Sequence, residues 1–371
     1  MFFKNKPADK KRVLALSDIR SDGIRLALVL SKRNDPFPEI IWSHFDALPA
    51  SYFSKGNEKR LQAAIKSSLA RLEMDGLRFL LQHFPELKPE TLKVTVSAPL
   101  SETVARGVKL SGNIPTEVTT DQIDLIRRGI DKRQTVPAEQ ILKNRLGVSF
   151  VTGPLLPYGQ NLYELVTILP TPIYQELVSA RERMLPKANL QVEPRLGNYL
   201  YALDKIPHKT DSICLIDVTP SATEVCLIND NSIEATGQMS YGMSELEAAL
   251  SGKTGLPQNQ IAHLFKDNDV DAESSLRDSD RLAKNEVYED FERRLTRLLQ
   301  KTAGSGLPNT IFLSADPDKQ RFLLERIKKL SLFRDRPSLH AITPKLLRLD
   351  DADDLILALN AYIFHKRDAR R

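Results

Sequence analysis

The feature that most constrains the fold is an internal duplication. A short aliphatic run ends in Leu16-Ser17-Asp18-Ile19-Arg20-Ser21, and another, in the second half of the chain, ends in Leu215-Ile216-Asp217-Val218-Thr219-Pro220-Ser221. Each is followed by a second extended run (Ile24–Leu30 and Thr223–Ile228) and then a third (Glu39–His44 and Ile233–Met239). Runs of this length, aliphatic and bracketed by Asp, Gly and Pro, read as antiparallel strands. Asn229-Asp230-Asn231 is a turn of the kind that tight hairpins favour. A meander repeated with an Asp at the same place in each copy predicts a duplicated α/β fold.

The stretches between the meanders alternate in kind. Leu61, Ile65, Leu69 and Leu72 mark one face of a helix, and Lys93–Ser97 reads as a strand ended by Pro99. A smaller unit runs from about Thr103 to Arg183. It holds a predicted helix at Val118–Arg133, strands at Val148–Val151 and Tyr163–Leu169, and a helix from Pro172 to Met184. A short return, Asn189–Val192, leads into a helix around Leu196–Leu203. In the second half a helix opens near Ser244, and a polar stretch, Asp267–Asp280, precedes an amphipathic helix carrying Val287, Phe291, Leu295, Leu298 and Leu299 on one face. A buried strand, Thr310–Leu313, and a helix, Pro317–Leu330, follow. Trp42 falls in an alternating strand and is expected in the core.

Composition narrows the function classes. With 41% hydrophobic and 27% charged residues in a chain of 371, disorder and fibrous repeats are excluded. The net charge of +5 comes from the ends: residues 1–12 sum to +4 and residues 365–371 to +3, which leaves the body near −2. Such tails solvate a chain or brush an anionic surface such as lipid. No basic face interleaved with aromatics remains for nucleic acid. The start, Met1-Phe2-Phe3-Lys4, has no apolar stretch behind it, so a cytoplasmic location is expected. Leu355–Phe364 is too short to span a bilayer. Cys214 and Cys226, the only cysteines, lie in separate apolar strands, and the six histidines have no partner at ligand spacing.

Two tempting motifs fail on their own mechanics. Gly252-Lys253-Thr254 lacks the earlier glycine of a phosphate loop, because position 247 is Glu, and it reads as a loop after a helix. Asp267, Asp269, Asp271 and Asp278 match a calcium-loop template, but the turn glycine is Ala272 and Ser274 replaces an apolar residue. A solvated acidic loop is expected there.

The order of parts resembles the actin-like superfamily and, within it, the FtsA and PilM group. Asp18-Ile19-Arg20-Ser21-Asp22-Gly23-Ile24-Arg25-Leu26 is similar to the first phosphate hairpin of that family. Asp217-Val218-Thr219-Pro220-Ser221-Ala222-Thr223-Glu224-Val225 is similar to the second. Ile311-Phe312-Leu313-Ser314-Ala315-Asp316 stands where the adenosine turn sits, and Tyr241-Gly242-Met243 resembles the family's glycine-led helix start. The resemblance implies an actin-like fold of two ribonuclease H-like halves with an inserted small α+β subdomain. Residues 1–103 would be the first half (1A), 104–182 the insertion (1C), 183–210 the return to 1A, and 211–371 the second half, with a 2B-like insertion at about 244–305.

It also implies a nucleotide cleft at Asp18, Ser21, Asp217, Ser221, Thr223, Ser314 and Asp316, with ATP and Mg²⁺ as the ligands to test. Asp18 and Asp217 have two readings. As Mg²⁺-organising acids they would work with Ser21, Ser221 and Thr223 as hydroxyl donors to phosphate; as turn residues they would bond local backbone N–H groups. The glycines that let a hairpin aim its backbone at an anion are Arg20 and Thr219-Pro220 here, and proline has no N–H. The adenosine turn has become Ala315-Asp316. These losses favour the second reading and a degenerate, non-hydrolysing cleft.

The last apolar stretch, Leu355–Phe364, followed by His365-Lys366-Arg367, is expected to pack as the final helix of the second half rather than act as a tethered membrane anchor. The function implied is a PilM-like cytoplasmic scaffold of a type IV pilus or related secretion machine, peripheral to the inner membrane. Its partner would be the cytoplasmic tail of a PilN-like assembly protein, with self-association also open. An FtsA-like division protein polymerising with ATP, and an active ATPase on the same fold, are the alternatives.

Overall fold

The computed structural model describes residues 11–32, 35–53, 56–108, 147–158, 161–204, 206, 210–265, 276–303, 306–333, 337–346 and 354–368. The helix expected at Val118–Arg133, most of the calcium-like loop and most of the two basic tails lie outside them.

The duplication is realised strand for strand. In the first half β1 (Lys11–Arg20), β2 (Gly23–Lys32) and β3 (Glu39–Ala47) form an antiparallel meander, and β4 (Pro89–Val96) and β8 (Asn189–Pro194) run parallel to β1, giving the order β3-β2-β1-β4-β8. In the second half β9 (Ile213–Val218), β10 (Thr223–Asn229) and β11 (Ser232–Met239) repeat the meander, and β12 (Thr310–Ser314) and β13 (Ser338–Ala341) complete the order β11-β10-β9-β12-β13. Asp230 and Asn231 both take positive φ, 48° and 56°, as the tight β10–β11 turn requires. Two five-stranded sheets with the same order and the same strand directions make the fold actin-like. A third sheet, β5 (Glu102–Val108), β6 (Val148–Tyr158) and β7 (Asn161–Pro170), is ordered β5-β7-β6 and is inserted after β4.

Strand periodicity explains how each sheet is buried on both faces. Along β1, Val13 and Ala15 join one core while Leu14 and Leu16 join another; along β9, Ile213 and Leu215 part from Cys214 and Ile216 in the same way. The outer face of the first sheet is covered by α1 (Glu58–Arg71) and α3 (Thr171–Met184), through Leu61, Ile65, Leu69, Ile173 and Leu177. A π turn, Leu72–Gly76, joins α1 to α2 (Leu77–His83). The outer face of the second sheet is covered by α5 (Met243–Thr254), α6 (Gln258–His263), α7 (Asp278–Thr302) and α8 (Pro317–Ile327).

The inner faces exchange helices. α4 (Arg195–Leu203), which follows the first sheet, packs Leu196, Tyr199, Leu200 and Leu203 with Ile213, Leu215, Cys226 and Ile228 of the second. α9 (Leu355–Asp368), which follows the second sheet, packs Leu357, Ala361 and Phe364 on Leu14, Leu16, Ala27 and Val29 of the first. Leu359 and Ile363, on its other side, join the α4 cluster. The last helix is therefore packed, as expected, but across the molecule rather than within the second half, because its apolar residues surround it and need two partners.

Three further expectations are corrected. Gly252-Lys253-Thr254 forms the last turn of α5, not a loop. Asn189–Val192, read as a short return, is the core of strand β8, and β5 and β13 had no signal strong enough to be read. Trp42 is half-buried on edge strand β3, lying over Gly76 of the π turn, where a Cβ would stand 3.0 Å from its ring.

Candidate functional site

The two repeated Asp residues lie near the ends of β1 and β9, the central strands of the two five-stranded sheets, beside residues that line the cleft between the halves: Arg20 Nε stands 3.7 Å from Asp18 and Arg195 Nη2 3.7 Å from Asp217. Asp18 shares strand parity with Leu14 and Leu16, and Asp217 with Ile213 and Leu215, so each belongs to the face that carries a crossing helix. Both are fully buried. Above them opens a cavity of about 430 Å³, lined among others by Arg20, Arg25, Arg195, Thr219, Ser314 and Asp316.

Neither Asp caps its own turn, which corrects that reading. Asp18 accepts a hydrogen bond from Thr95 Oγ1 on the neighbouring strand at 2.5 Å, and its other oxygen has no hydrogen-bond partner among the described residues. Burial raises its pKa, opposed by the Arg20 and Arg195 charges. Asp217 has no hydrogen bond to either oxygen among the described residues; its nearest cation is Arg195, with Nη2 3.7 Å from Oδ1. Arg195 in turn donates to the Tyr199 hydroxyl from Nη2 at 2.6 Å and Nε at 3.1 Å, and Ser314 Oγ donates to the same oxygen at 2.6 Å. Burial, reinforced by Asp217 and opposed by Arg195, pushes Tyr199 up to about 12 and keeps it neutral. Although burial works against the Arg195 charge, Asp217, Tyr199 and Asp18 raise its pKa.

The turns that follow the Asp residues are bonded to each other. Ser221 N–H donates to Ser21 Oγ at 3.0 Å across the cleft. The second turn closes on itself as well: Thr219 N–H donates to Ala222 O at 2.9 Å, and Ala222 N–H to Thr219 Oγ1 at 3.1 Å. The start of α5 is committed in the same way, with Met243 N–H on Thr219 O at 3.1 Å and Ser244 N–H on Pro220 O at 2.7 Å. This approach needs a glycine, since a Cβ on Gly242 would lie 2.2 Å from Thr219 O and 2.6 Å from Ala222 N. Thr223 Oγ1 donates to Tyr241 O at 2.8 Å.

The first turn is filled by charges instead. Asp22 takes Arg20 at 3.1 and 2.6 Å and Arg25 at 3.3 and 3.0 Å, and Arg25 Nε reaches Asp354 at 2.5 Å. Burial works against ionisation of Asp22, but the two guanidiniums hold its carboxyl well below the usual range. Asp354 also accepts Leu357 N–H at 3.1 Å, capping α9 while it pins the first hairpin.

Across the cleft Asp316 caps α8 through Asp318 N–H at 3.2 Å, and the Gln320 amide donates to Ala315 O and Ile342 O. Of the seven expected residues, Ser314 and Asp316 line the cavity; Asp18, Asp217, Ser21 and Ser221 are buried beside it, and Thr223 is buried against Tyr241 O. The backbone donors of the cleft do not fit phosphate oxygens in this arrangement: a phosphate needs several amides free to converge on it, and those of Ala222, Met243 and Ser244 already hold carbonyl or hydroxyl oxygens while Pro220 has none. The carboxylates Asp18 and Asp217 fit a cation better. Among the described residues no cluster of three or more acidic, His or Cys side chains suited to a metal ion is present.

Sequence reasoning missed Thr95, Arg195, Tyr199, Glu224 and Asp354. The position seven residues after each Asp was a usable signal, because Arg25 pairs in register with Asp18 and Glu224 with Asp217. Glu224 is almost wholly buried and accepts from Ala98 N–H at 3.3 Å and Thr103 Oγ1 at 3.5 Å. Burial, together with the charge of Asp217, pushes its carboxyl up to about 8.

No protein-family model matches the chain, and no curated protein matches it. Among solved structures it is similar to a PilM–PilN type IV pilus biogenesis complex, at 12% identity over 98% of both chains and a TM-score of 0.49. It is also similar to a Bacteroides thetaiotaomicron protein of actin-like ATPase fold and unknown function, at 9% identity over 94% of this chain and 95% of that one, TM-score 0.46. The ethanolamine utilization protein EutJ of Carboxydothermus hydrogenoformans aligns at 11% identity over 97% and 92%, TM-score 0.45. At such identities and scores these likenesses carry no function to this chain, and the fold assignment rests on the strand order.

Proposed function

We propose that the chain is an actin-fold scaffold of a type IV pilus or related secretion machine, acting by binding rather than by turnover. The observation that carries this reading is the bond between the two turns, Ser221 N–H to Ser21 Oγ, with the α5 amides already committed to the second turn. A cleft so bonded links the two halves where a nucleotide-hydrolysing relative would hold phosphate.

The binding surface we assign lies elsewhere, at a hollow of about 140 Å³ lined by aromatic, aliphatic and proline side chains, Tyr52, Phe53, Pro99 and Leu100 among them, with Glu58 as the one charged residue. It opens where the chain leaves the first half for the inserted sheet and where it returns. Aromatic and proline walls suit an apolar side chain of an extended peptide. The peptide we assign to it is the cytoplasmic tail of a PilN-like inner-membrane assembly protein, which would keep this chain peripheral to that membrane. Among the described residues no helix is long and apolar enough to cross a membrane itself. Fluorescence anisotropy with a labelled peptide of that tail, from the same genome, tests the assignment. Saturable binding weakened at least tenfold by Tyr52→Ala is expected, and binding indifferent to Tyr52 and Phe53 would overturn it.

One observation favours a second reading, a nucleotide switch. Both Asp217 oxygens and Ser221 Oγ are buried without a hydrogen-bond partner among the described residues, as cation and phosphate ligands would be. An opened cleft would free them, and Mg-ATP calorimetry separates the two readings. The FtsA-like alternative, which places a membrane helix at the end of the chain, is disfavoured by the burial of Leu357, Leu359, Ala361, Ile363 and Phe364.

A further inference from the structure

The two basic tails, far apart in sequence, leave the fold at one place. At the start of β1, Lys11 stands opposite Lys32 and Arg12 opposite Ser31 in register. Ser31 Oγ lies 2.8 Å from His365 Nδ1, near the end of α9, and Lys366 Nζ donates to Pro36 O at 3.3 Å. Phe37, half exposed, sets its ring 6.1 Å from that of Tyr362 on the same helix. The segment before β1 and the segment after α9 therefore both depart beside the β2–β3 connection. This end of the first half is remote from the cleft. Asp18 lies further along β1 from Lys11, roughly 20 Å at the rise of an extended strand. The helix spans the same interval, from Leu355 at the cavity wall to Lys366.

The charge gathered there is unbalanced. Arg12 is paired with Glu90, its Nε 2.8 Å from Oε2, and residues 32–39 balance Lys32 and Arg33 against Asp35 and Glu39. Lys32 itself engages both of those acids, at 3.3 and 3.8 Å. That leaves residues 1–11 with a net charge of +3 and residues 365–371 with +3, while the remainder of the chain sums to −1. Such a concentration of positive charge at one end of a nearly neutral body turns that end toward an anionic surface. Basic residues alone suit any polyanion. An exposed aromatic ring beside Lys366 suits the boundary between lipid headgroups and acyl chains, and Phe2 and Phe3 add two more rings in the first tail.

We propose that this end of the first half docks directly on an anionic phospholipid bilayer, the two tails supplying the charge and Phe37 the apolar contact. An anionic membrane strengthens binding about fivefold for each Lys or Arg held near its surface. The fold docks without inserting a helix: α9 keeps Leu357, Ala361 and Phe364 on the first sheet, and only its basic end meets lipid. Bound in this way, the chain holds its cleft away from the bilayer. The contact does not rest on the peptide reading above, because it needs no partner protein.

Flotation of the full chain with lipid vesicles tests the docking face. At low salt the chain should float with vesicles of phosphatidylcholine and phosphatidylglycerol in a three-to-one mixture and stay behind with phosphatidylcholine alone. Salt at about 0.5 M should weaken the partition at least tenfold by screening. Lys4→Gln, Lys6→Gln and Lys10→Gln together should also weaken it at least tenfold, and so should Arg370→Gln with Arg371→Gln, because one face engages both tails at once. Tails on opposite faces would meet the bilayer one at a time, so a loss of about twofold or less from either set would overturn the shared face. Phe37→Ser should weaken vesicle binding severalfold and leave binding to a DNA duplex unchanged. Failure to float with the anionic vesicles, equal flotation with neutral ones, or binding to the duplex in place of vesicles would overturn the proposal. Any of these results leaves the peptide assignment untouched, since the anisotropy assay contains no lipid.

Discussion

The two Asp residues occupy the same place in the two repeats, yet their surroundings differ at each equivalent neighbour. Across the hairpin, seven residues on, Asp18 meets Arg25 and Asp217 meets Glu224. On the next parallel strand, Asp18 meets Thr95 and Asp217 meets Ser314. Thr95 gives its hydrogen bond to Asp18, while Ser314 gives its own to Tyr199. The first hairpin is thus held by side-chain charges, Asp22 in its own turn and Asp354 from far along the chain. The second is held by its own backbone and by the start of α5. A duplicated scaffold can diverge by changing what satisfies a position while leaving the position in place.

The largest expected effect breaks the backbone-held side. Gly242→Ala puts a Cβ against Thr219 O, Pro220 O and Ala222 N, all backbone, and should destabilise by about 3 kcal/mol or prevent folding, as read by urea denaturation. Next comes the asymmetry between the two hydroxyls. Thr95→Val removes the hydrogen bond that Asp18 accepts and the one the Asn360 amide donates to Thr95 Oγ1 at 3.4 Å, so about 2 kcal/mol should be lost. Ser314→Ala leaves Tyr199 with two Arg195 bonds and should cost about 1 kcal/mol or less. Equal losses would dissolve the distinction between the repeats.

The pH profiles should differ in sign. Glu224, raised by burial and Asp217, favours the folded state at low pH and gives up that contribution as pH rises from 4.5 to about 8, by at most about 1.4 kcal/mol per pH unit. Buried Asp18, also raised, acts in the same direction. Asp22 is lowered by its two arginines, so its contribution is present above 3.8 and is lost as the pH falls through its depressed folded value. Thermal melts across pH should therefore show Glu224→Gln flattening the neutral limb and Asp22→Asn the acid limb. A comparably small effect is expected at the mouth of the cleft. Asp354→Ala removes a cap and a partly exposed ion pair to Arg25, worth about 1 kcal/mol together.

The sequence reveals the repeats because aliphatic strands bracketed by turn residues, with an Asp at one fixed place, are local signals. The meanders, the parallel strands Lys93–Ser97 and Thr310–Leu313, and the erosion at Arg20 and Thr219-Pro220 are read from it directly. What surrounds the Asp residues is not local. Arg195 and Tyr199 arrive on a helix that follows the first sheet and packs on the second, and Asp354 arrives on a helix that makes the reverse crossing. No periodicity encodes which sheet a helix with apolar residues all round will choose, which is why Leu355–Phe364 reads as buried but lands on the opposite half. The turn-to-turn bond between Ser21 and Ser221 is equally silent, since two serines in polar turns announce nothing about each other.

The most direct test of the central claim, that the phosphate-facing amides are committed within the fold, is titration calorimetry of the purified chain with Mg-ATP, with Asp217→Ala as control. No saturable heat at millimolar nucleotide is expected from either protein. Saturable binding abolished by the Asp217 substitution would contradict the claim and restore a nucleotide switch to the cleft.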